Sequence, residues 1–211
     1  MNINKKQIAY NRTKRSQKPI YIVIHDTGNP GKGANANAHF NYMNGGDRQA
    51  SADFFVDNTQ ILQVNDYNTY YSWHCGDGHG KYGITNGNSV GIEICINSDG
   101  NYDAAFQNAV ELTKHLMGEL GIDINHVVRH YDASRKSCPN TMKANDWALW
   151  NKFKSLLTAS TELTSVNDIV WELAHRGIIS DSNLWMDKLT NDSNAYWLES
   201  KTVKYLQTAS V

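Results

Sequence analysis

The sequence holds 211 residues, 40% of them hydrophobic and 19% charged, which suits one folded domain with a small appendage and excludes an intrinsically disordered chain. No apolar run approaches the roughly 20 residues of a membrane helix. The formal net charge of −1 lacks the basic footprint of a nucleic-acid binder, so neither membrane nor nucleic acid is expected as a partner. Locally, residues 1–18 carry Lys5, Lys6, Arg12, Lys14, Arg15 and Lys18 and no acid; this stretch reads as a solvated leader, with contact to an anionic polymer as the alternative. No apolar segment follows it, so no secretory signal is recognised and synthesis in a cytoplasm is expected. Cys75, Cys95 and Cys138 are odd in number and irregularly spaced. They read as reduced thiols, one or more given to chemistry, with a Cys75–Cys95 disulfide as the alternative.

In chain order, Tyr21-Ile22-Val23-Ile24 is an apolar run that ends at His25 and enters Asp26-Thr27-Gly28, a strand running into a turn. Asn29 to Gly33 makes a loop. Ala34 to Asn44 is predicted helical, stopped by Gly45-Gly46. Asp53 to Asp57 and Ile61 to Val64, joined by Asn58-Thr59-Gln60, predict a β-hairpin. Tyr67 to Asn88 is too rich in glycine for regular structure and too rich in aromatic rings for a plain linker, which marks a functional loop. Val90 to Ile96 alternates strictly, with Val90, Ile92, Ile94 and Ile96 on the core face and Gly91, Glu93 and Cys95 on the other. Asp103 to Leu120 is an amphipathic helix closed by Gly121, Val127-Val128-Arg129 a short strand, and Lys143 to Leu157 a second long helix. Strands alternating with helices predict an α/β domain with a central mixed sheet flanked by helices.

Composition shifts at Thr158-Ala159-Ser160-Thr161, which reads as a linker. The predicted organisation is a domain over residues 1–157 and a small helical domain over residues 158–211. In the second, Val166 to His175 and Ala195 to Gln207 are expected to be helices, with a turn through Ser182-Asn183-Leu184-Trp185 between them. About 50 residues is marginal for independent folding, so packing on the first domain or pairing with a second copy is expected.

Chemistry concentrates between Arg129 and Pro139, where His130, Lys136 and Cys138 fall within nine residues. Imidazole and thiolate are good ligands for Zn²⁺, and catalytic zinc sites take three protein ligands and leave one position open. His25, at the end of its strand, is the obvious third. Glu93 points away from the aliphatic core and can act as the base beside a metal-activated water. In extended chain Lys136 and Cys138 share a face, which would bring the ammonium to the metal side to stabilise an oxyanion. This assembly suits hydrolysis of an amide or ester. Taken singly, each residue also has an ordinary reading: a structural histidine, an inert buried thiol, a solvated charge.

The ordered set Ile22-Val23-Ile24-His25-Asp26-Thr27-Gly28, Ala50-Ser51-Ala52, Ser72-Trp73-His74-Cys75-Gly76, Ser89-Val90-Gly91-Ile92-Glu93-Ile94, and His130-Tyr131-Asp132 through Lys136-Ser137-Cys138-Pro139 resembles the type 2 N-acetylmuramoyl-L-alanine amidases. These are zinc enzymes related to peptidoglycan recognition proteins, and they include many phage endolysins. The resemblance spans roughly Tyr21 to Leu157. It implies bacterial peptidoglycan as substrate and cleavage of the amide between the lactyl group of muramic acid and the first L-alanine of the stem peptide. It also implies zinc ligands at His25, His130 and Cys138, a catalytic glutamate at Glu93, a catalytic lysine at Lys136, and a substrate-groove histidine at His74. Where many relatives carry a histidine, this chain has Asp53, to which no role transfers. Some relatives have an aspartate as third ligand, and Asp132 is nearby, but Cys138-Pro139 matches the cysteine version better.

Residues 158–211 are similar to helical segments appended to cell-wall hydrolases of Gram-positive bacteria and their phages. This implies wall targeting, with homodimerisation as the alternative. The whole implies a phage or prophage endolysin that reaches the wall through a membrane lesion and needs no signal peptide. The rival reading is a non-catalytic peptidoglycan-binding module, which typically lacks the thiolate ligand. A third is a metal hydrolase acting on a different amide or ester.

Overall fold

The computed structural model describes residues 1–158, Val170, Leu173 and Ser182–Asn191, and the chain divides into two units, Met1–Thr158 and Ala159–Val211. In the first unit the elements are β1 (Ile3–Lys5), β2 (Arg12–Lys14), β3 (Tyr21–Asp26), α1 (Ala36–Asn44), β4 (Phe54–Val56), β5 (Ile61–Gln63), β6 (Tyr70–Ser72), β7 (Ser89–Ile94), α2 (Tyr102–Leu120), β8 (Val127–Arg129), α3 (His130–Ser134) and α4 (Ala144–Thr158). Six strands form one mixed sheet in the order β1-β5-β4-β7-β3-β8, and β2 pairs with β6 in a second, two-stranded sheet. The architecture is the expected α/β one.

The period-two rule sorts the two faces of the sheet. Ile22 and Ile24 of β3, Phe54 and Val56 of β4, and Val90, Ile92 and Ile94 of β7 face one large core, shared with Phe106, Leu112 and Leu116 of α2 and Trp150 and Phe153 of α4. The intervening residues face the other way, where Phe55 and Leu62 meet Ala36 of α1 and Val23 meets Cys75 and Ala133. β3 pairs in parallel with both β7 and β8, so the carboxyl ends of three adjacent strands lie together. In open parallel sheets that edge is where ligands bind.

Helix boundaries follow their caps. The Asn35 side chain accepts from the Ala38 amide at the start of α1, and Asn101 does the same for Ala104 at the start of α2. Gly121 ends α2 in the left-handed region at φ 67°, a conformation that a Cβ disfavours. In α4 the residues Asn145, Asp146 and Trp147 are left-handed, so its regular turns begin later than the apolar pattern predicts.

Two expectations are corrected in this unit. The basic leader is not simply solvated: β1 pairs in parallel with β5, β2 pairs antiparallel with β6, and Ile8 is fully buried. Its backbone completes sheet edges while Lys5 and Lys14 stay exposed, which is how edge strands avoid further pairing. Arg15 donates to the carbonyls of Gly87 and Ser89 and so ties the leader to the start of β7. The aromatic loop is also less irregular than predicted, because β6 lies inside it. In the second unit, Ser182 to Trp185 begins a helix, α5 (Ser182–Asn191), instead of forming a turn. Serine and asparagine initiate helices as readily as turns. Of the helix expected at Val166 to His175 only Val170 and Leu173 are described, both helical; the helix expected at Ala195 to Gln207 and the dimerisation reading lie outside the described residues.

Candidate metal centre

β3 carries His25 to its carboxyl end directly beside Glu93, its register partner on β7. β8 pairs with β3 up to Arg129, so the next residue, His130, opens α3 at the same edge. The chain then returns, with the Tyr131 amide donating to the Cys138 carbonyl. Residues 113 positions apart thereby meet: Cys138 Sγ lies 3.7 Å from His25 Nδ1. One ligand atom from each of His25, His130 and Cys138 lies within 4.8 Å of the other two, and all three residues are buried. Ligands at zinc–nitrogen and zinc–sulfur distances in tetrahedral array would be about 3.3–3.6 Å apart, so the set needs little contraction to close on an ion.

The donor atoms fit a metal for a second reason. His130 Nε2 is engaged by Asp77 Oδ1 at 2.7 Å, whereas His130 Nδ1 is buried with no hydrogen-bond partner. A buried polar atom left unpaired is costly, and a cation among the three residues would satisfy it. Burial holds His25 well below the ordinary imidazole pKa, helped by the charges of His130, His74 and Lys136. His130 is also lowered by burial, with Asp77 opposing. Both rings are therefore neutral, the form that binds metal.

Glu93 is the acid–base candidate. Its Oε1 is 3.8 Å from His25 Nδ1, its Oε2 is buried and unpartnered, and the side chain keeps 19% exposure. Burial, together with the charge of Asp26, raises its carboxyl to about 8, with Lys136 opposing. Lys136 is exposed and lines the same groove of about 300 Å³ as His25, Glu93, His130 and Cys138. It does not get there through an extended chain: the Cys138 amide donates to the Lys136 carbonyl at 2.8 Å, a tight turn over two residues.

The other residues singled out in the sequence separate clearly. His74 is 8% exposed and lines the groove, yet both its ring nitrogens are engaged by protein, with Nδ1 3.0 Å from His25 Nε2 and Nε2 3.0 Å from Ser89 Oγ. Asp53 is fully buried and accepts from Asn65, Ser72 and the Gly91 amide, a structural tie between β4, β6 and β7. Asp132 clamps the Arg129 guanidinium at 2.7 and 2.9 Å and accepts its amide, so it takes no part in the ligand set. Trp73 lines the groove, and its indole donates to Thr13 on β2. The Tyr70 ring is covered by Arg12 at 4.3 Å. All three cysteines are free and buried, so the Cys75–Cys95 disulfide is not formed.

Asp77 was not foreseen, because Gly76-Asp77-Gly78 reads as a turn. That turn docks on α3 so closely that a Cβ on Gly78 would collide with the Ala133 carbonyl, and this delivers the carboxylate to His130. Burial alone would raise the Asp77 carboxyl, but His130, Ser134 and Lys136 outweigh it and hold the pKa below the ordinary value. A carboxylate on the far nitrogen orients a metal-ligating imidazole and strengthens it as a donor. Asp77→Ala is therefore expected to weaken zinc binding about tenfold, read by competition with a chromophoric chelator. The side chain is 47% exposed, so the unfolding free energy of the metal-free protein should change by less than about 1 kcal/mol.

Comparison with known proteins adds independent findings. A family model described as N-acetylmuramoyl-L-alanine amidase matches residues 15–141. The N-acetylmuramoyl-L-alanine amidase XlyA of Bacillus subtilis (strain 168) is 40% identical over 147 residues, 70% of this chain and 47% of its own length. CwlH of the same organism is 37% identical over 150 residues, 71% of this chain and 57% of its own length. The chain thus spans about half the length of the curated relatives it matches. Among solved structures, the catalytic domain of XlyA aligns with a TM-score of 0.67 at 38% identity, over 74% of this chain and 99% of that one. PlyL aligns with a TM-score of 0.65 at 31% identity, over 75% and 98%.

Proposed function

We propose that this chain, which belongs to the N-acetylmuramoyl-L-alanine amidase family, hydrolyses the amide between the lactyl group of muramic acid and the L-alanine of the stem peptide in bacterial peptidoglycan, using zinc. The observation that carries the reading is the meeting, in one groove, of a buried His–His–Cys set with an unpartnered carboxylate oxygen on Glu93 and the ammonium of Lys136. A zinc ion held by His25, His130 and Cys138 would supply Lewis acidity to the scissile carbonyl and to the attacking water. Cysteine is the one anionic ligand, so the centre keeps a net positive charge.

Every other step belongs to the chain. Glu93 accepts a proton from the attacking water and returns it to the nitrogen of the departing alanine. Lys136, at the open side of the groove, pairs with the negative charge that develops on the carbonyl oxygen. The products balance as a lactyl carboxylic acid on the glycan and a new amino terminus on the peptide.

Location at the bacterial wall and wall targeting by residues 158–211, with dimerisation through that segment as the alternative, belong to the same proposal and rest on resemblance to wall hydrolases. No helix among the described residues is long and apolar enough to cross a membrane. The test is incubation with purified sacculi followed by amino-terminal analysis of the soluble fraction. New amino-terminal alanine, lost on chelation and regained with zinc, is expected. Binding to sacculi without new amino termini would identify a recognition module. New termini on another residue would identify a hydrolase of different specificity.

A further inference from the structure

We propose that His74 is a positioning residue: with Ser89 and the Thr85 carbonyl it forms a one-directional hydrogen-bond relay that holds His25 in the tautomer whose Nδ1 lone pair faces the other two ligands. The inference rests on the reading of His25 as a metal ligand. A neutral imidazole has one N–H and one lone pair, and the partner at one nitrogen decides what the other can do.

The relay starts at a group that can only accept. The Ser89 hydroxyl lies 2.5 Å from the Thr85 carbonyl oxygen and donates its single proton there. Ser89 Oγ is left with lone pairs for His74 Nε2, so His74 carries its proton on Nε2. His74 Nδ1 is then an acceptor, and His25 Nε2 must be the donor across their 3.0 Å contact. This leaves His25 Nδ1 unprotonated, facing Cys138 Sγ. Cys75 Sγ, 4.0 Å from His74 Nε2 and 3.7 Å from Ser89 Oγ, is too weak a partner at those distances to reverse the order.

The surrounding sequence is shaped to the ring. A Cβ at Gly91 would lie 2.6 Å from His74 Cγ, so β7 passes His74 only because that position has no side chain. The amides of His74 and Cys75 both donate to Asn86 Oδ1, at 3.0 and 2.7 Å, and fix the backbone beneath it. Ser89, Gly91 and Glu93 are alternate residues of β7, so one strand face supplies the relay's hydroxyl, its space and the acid–base group. The two ligand histidines are thus aimed differently: His130 by a half-exposed carboxylate, His25 by a buried chain of neutral groups.

Long-range 1H–15N spectra of the histidine-labelled full chain after chelation are expected to show His25 as the Nε2–H tautomer, and Ser89→Ala is expected to give a mixture. Zinc affinity, by chelator competition, should fall about 10–100-fold in His74→Phe. It should return to within about threefold in His74→Gln, whose amide accepts from His25 and donates to Ser89. Gly91→Ala removes no polar group and should fall with His74→Phe. A wild-type His25 carrying its proton on Nδ1 would overturn the relay. So would an unchanged zinc affinity in a His74→Phe protein that unfolds at the wild-type urea concentration. A wild type that takes up no zinc rejects the metal reading instead, and the relay is then judged on the tautomer, which is read without metal.

Discussion

Cys138→Ala is expected to bind no zinc and to lyse walls about a thousandfold more slowly or worse, because two imidazoles alone hold the ion weakly and leave no anionic ligand. The thiol is 6% exposed. Burial, and then the charge of Glu93, push its pKa well above the ordinary thiol range, against the pull of the Asp26 backbone amide and of Lys136. The metal-free protein therefore holds a neutral thiol at pH 7, and loading a metal must expel that proton. The sign follows directly: zinc affinity of the wild type rises with pH, by about tenfold per unit while this thiol is the group that ionises. The alanine variant has no such slope. Zinc at about a thousand times its Kd stabilises a fold by about 4 kcal/mol, so chelation should lower the unfolding midpoint of the wild type and leave Cys138→Ala unmoved. Calorimetry and lysis assays run with and without chelator check both statements. A wild type indifferent to chelation in both would remove the metal centre.

How much of this was readable in the sequence depended on whether a residue's role is set by its own chemistry or by its neighbours. The meeting of His25, His130 and Cys138 was readable because few residue types bind a metal such as zinc and the two histidines sit at the end of a recognisable strand or next to one. Glu93 was readable because β7 alternates cleanly over six residues, so its face could be assigned. β1, β2 and β6 were not: they are no shorter than β4, β5 and β8, but Ile3-Asn4-Lys5, Arg12-Thr13-Lys14 and Tyr70-Tyr71-Ser72 hold no apolar run to mark them. Asp77 was hidden between two glycines that signal only a turn. Ser89 reads as the ordinary opening of a strand until the His74 ring is placed against it. Gly91 did carry a signal: glycine inside a strand marks close approach of another group. What approaches is settled only by the fold. Lys136 reaches the groove through a tight turn and not through the extended geometry expected, so its placement was foreseen for a reason that the backbone does not obey.

Glu93→Gln is expected to abolish turnover and at the same time to stabilise the metal-free protein. The loss of activity follows from removal of the only carboxylate oxygen in the groove that is buried and unpartnered among the described residues; general acid–base groups contribute about 10²–10⁴-fold. The gain follows from linkage. An unfolded glutamate ionises near 4.5, whereas in the fold burial raises the group to about 8. Between those values the folded chain binds more protons than the unfolded one, so stability falls as pH rises through that window and levels off above it. This is the reverse of an ion-paired carboxylate, whose contribution is lost as pH falls. Glutamine, neutral at every pH, escapes the penalty. The variant should match the wild type near pH 4 and exceed it by roughly 2–4 kcal/mol at pH 9, in urea unfolding of chelated samples. Zinc should shrink the difference, because a cation beside the carboxylate lowers its pKa. A variant no more stable than the wild type at pH 9 would show that Glu93 is not held under strain by its burial. The stabilisation also separates chemistry from folding: an inactive protein that is harder to unfold has lost a reacting group, not its structure.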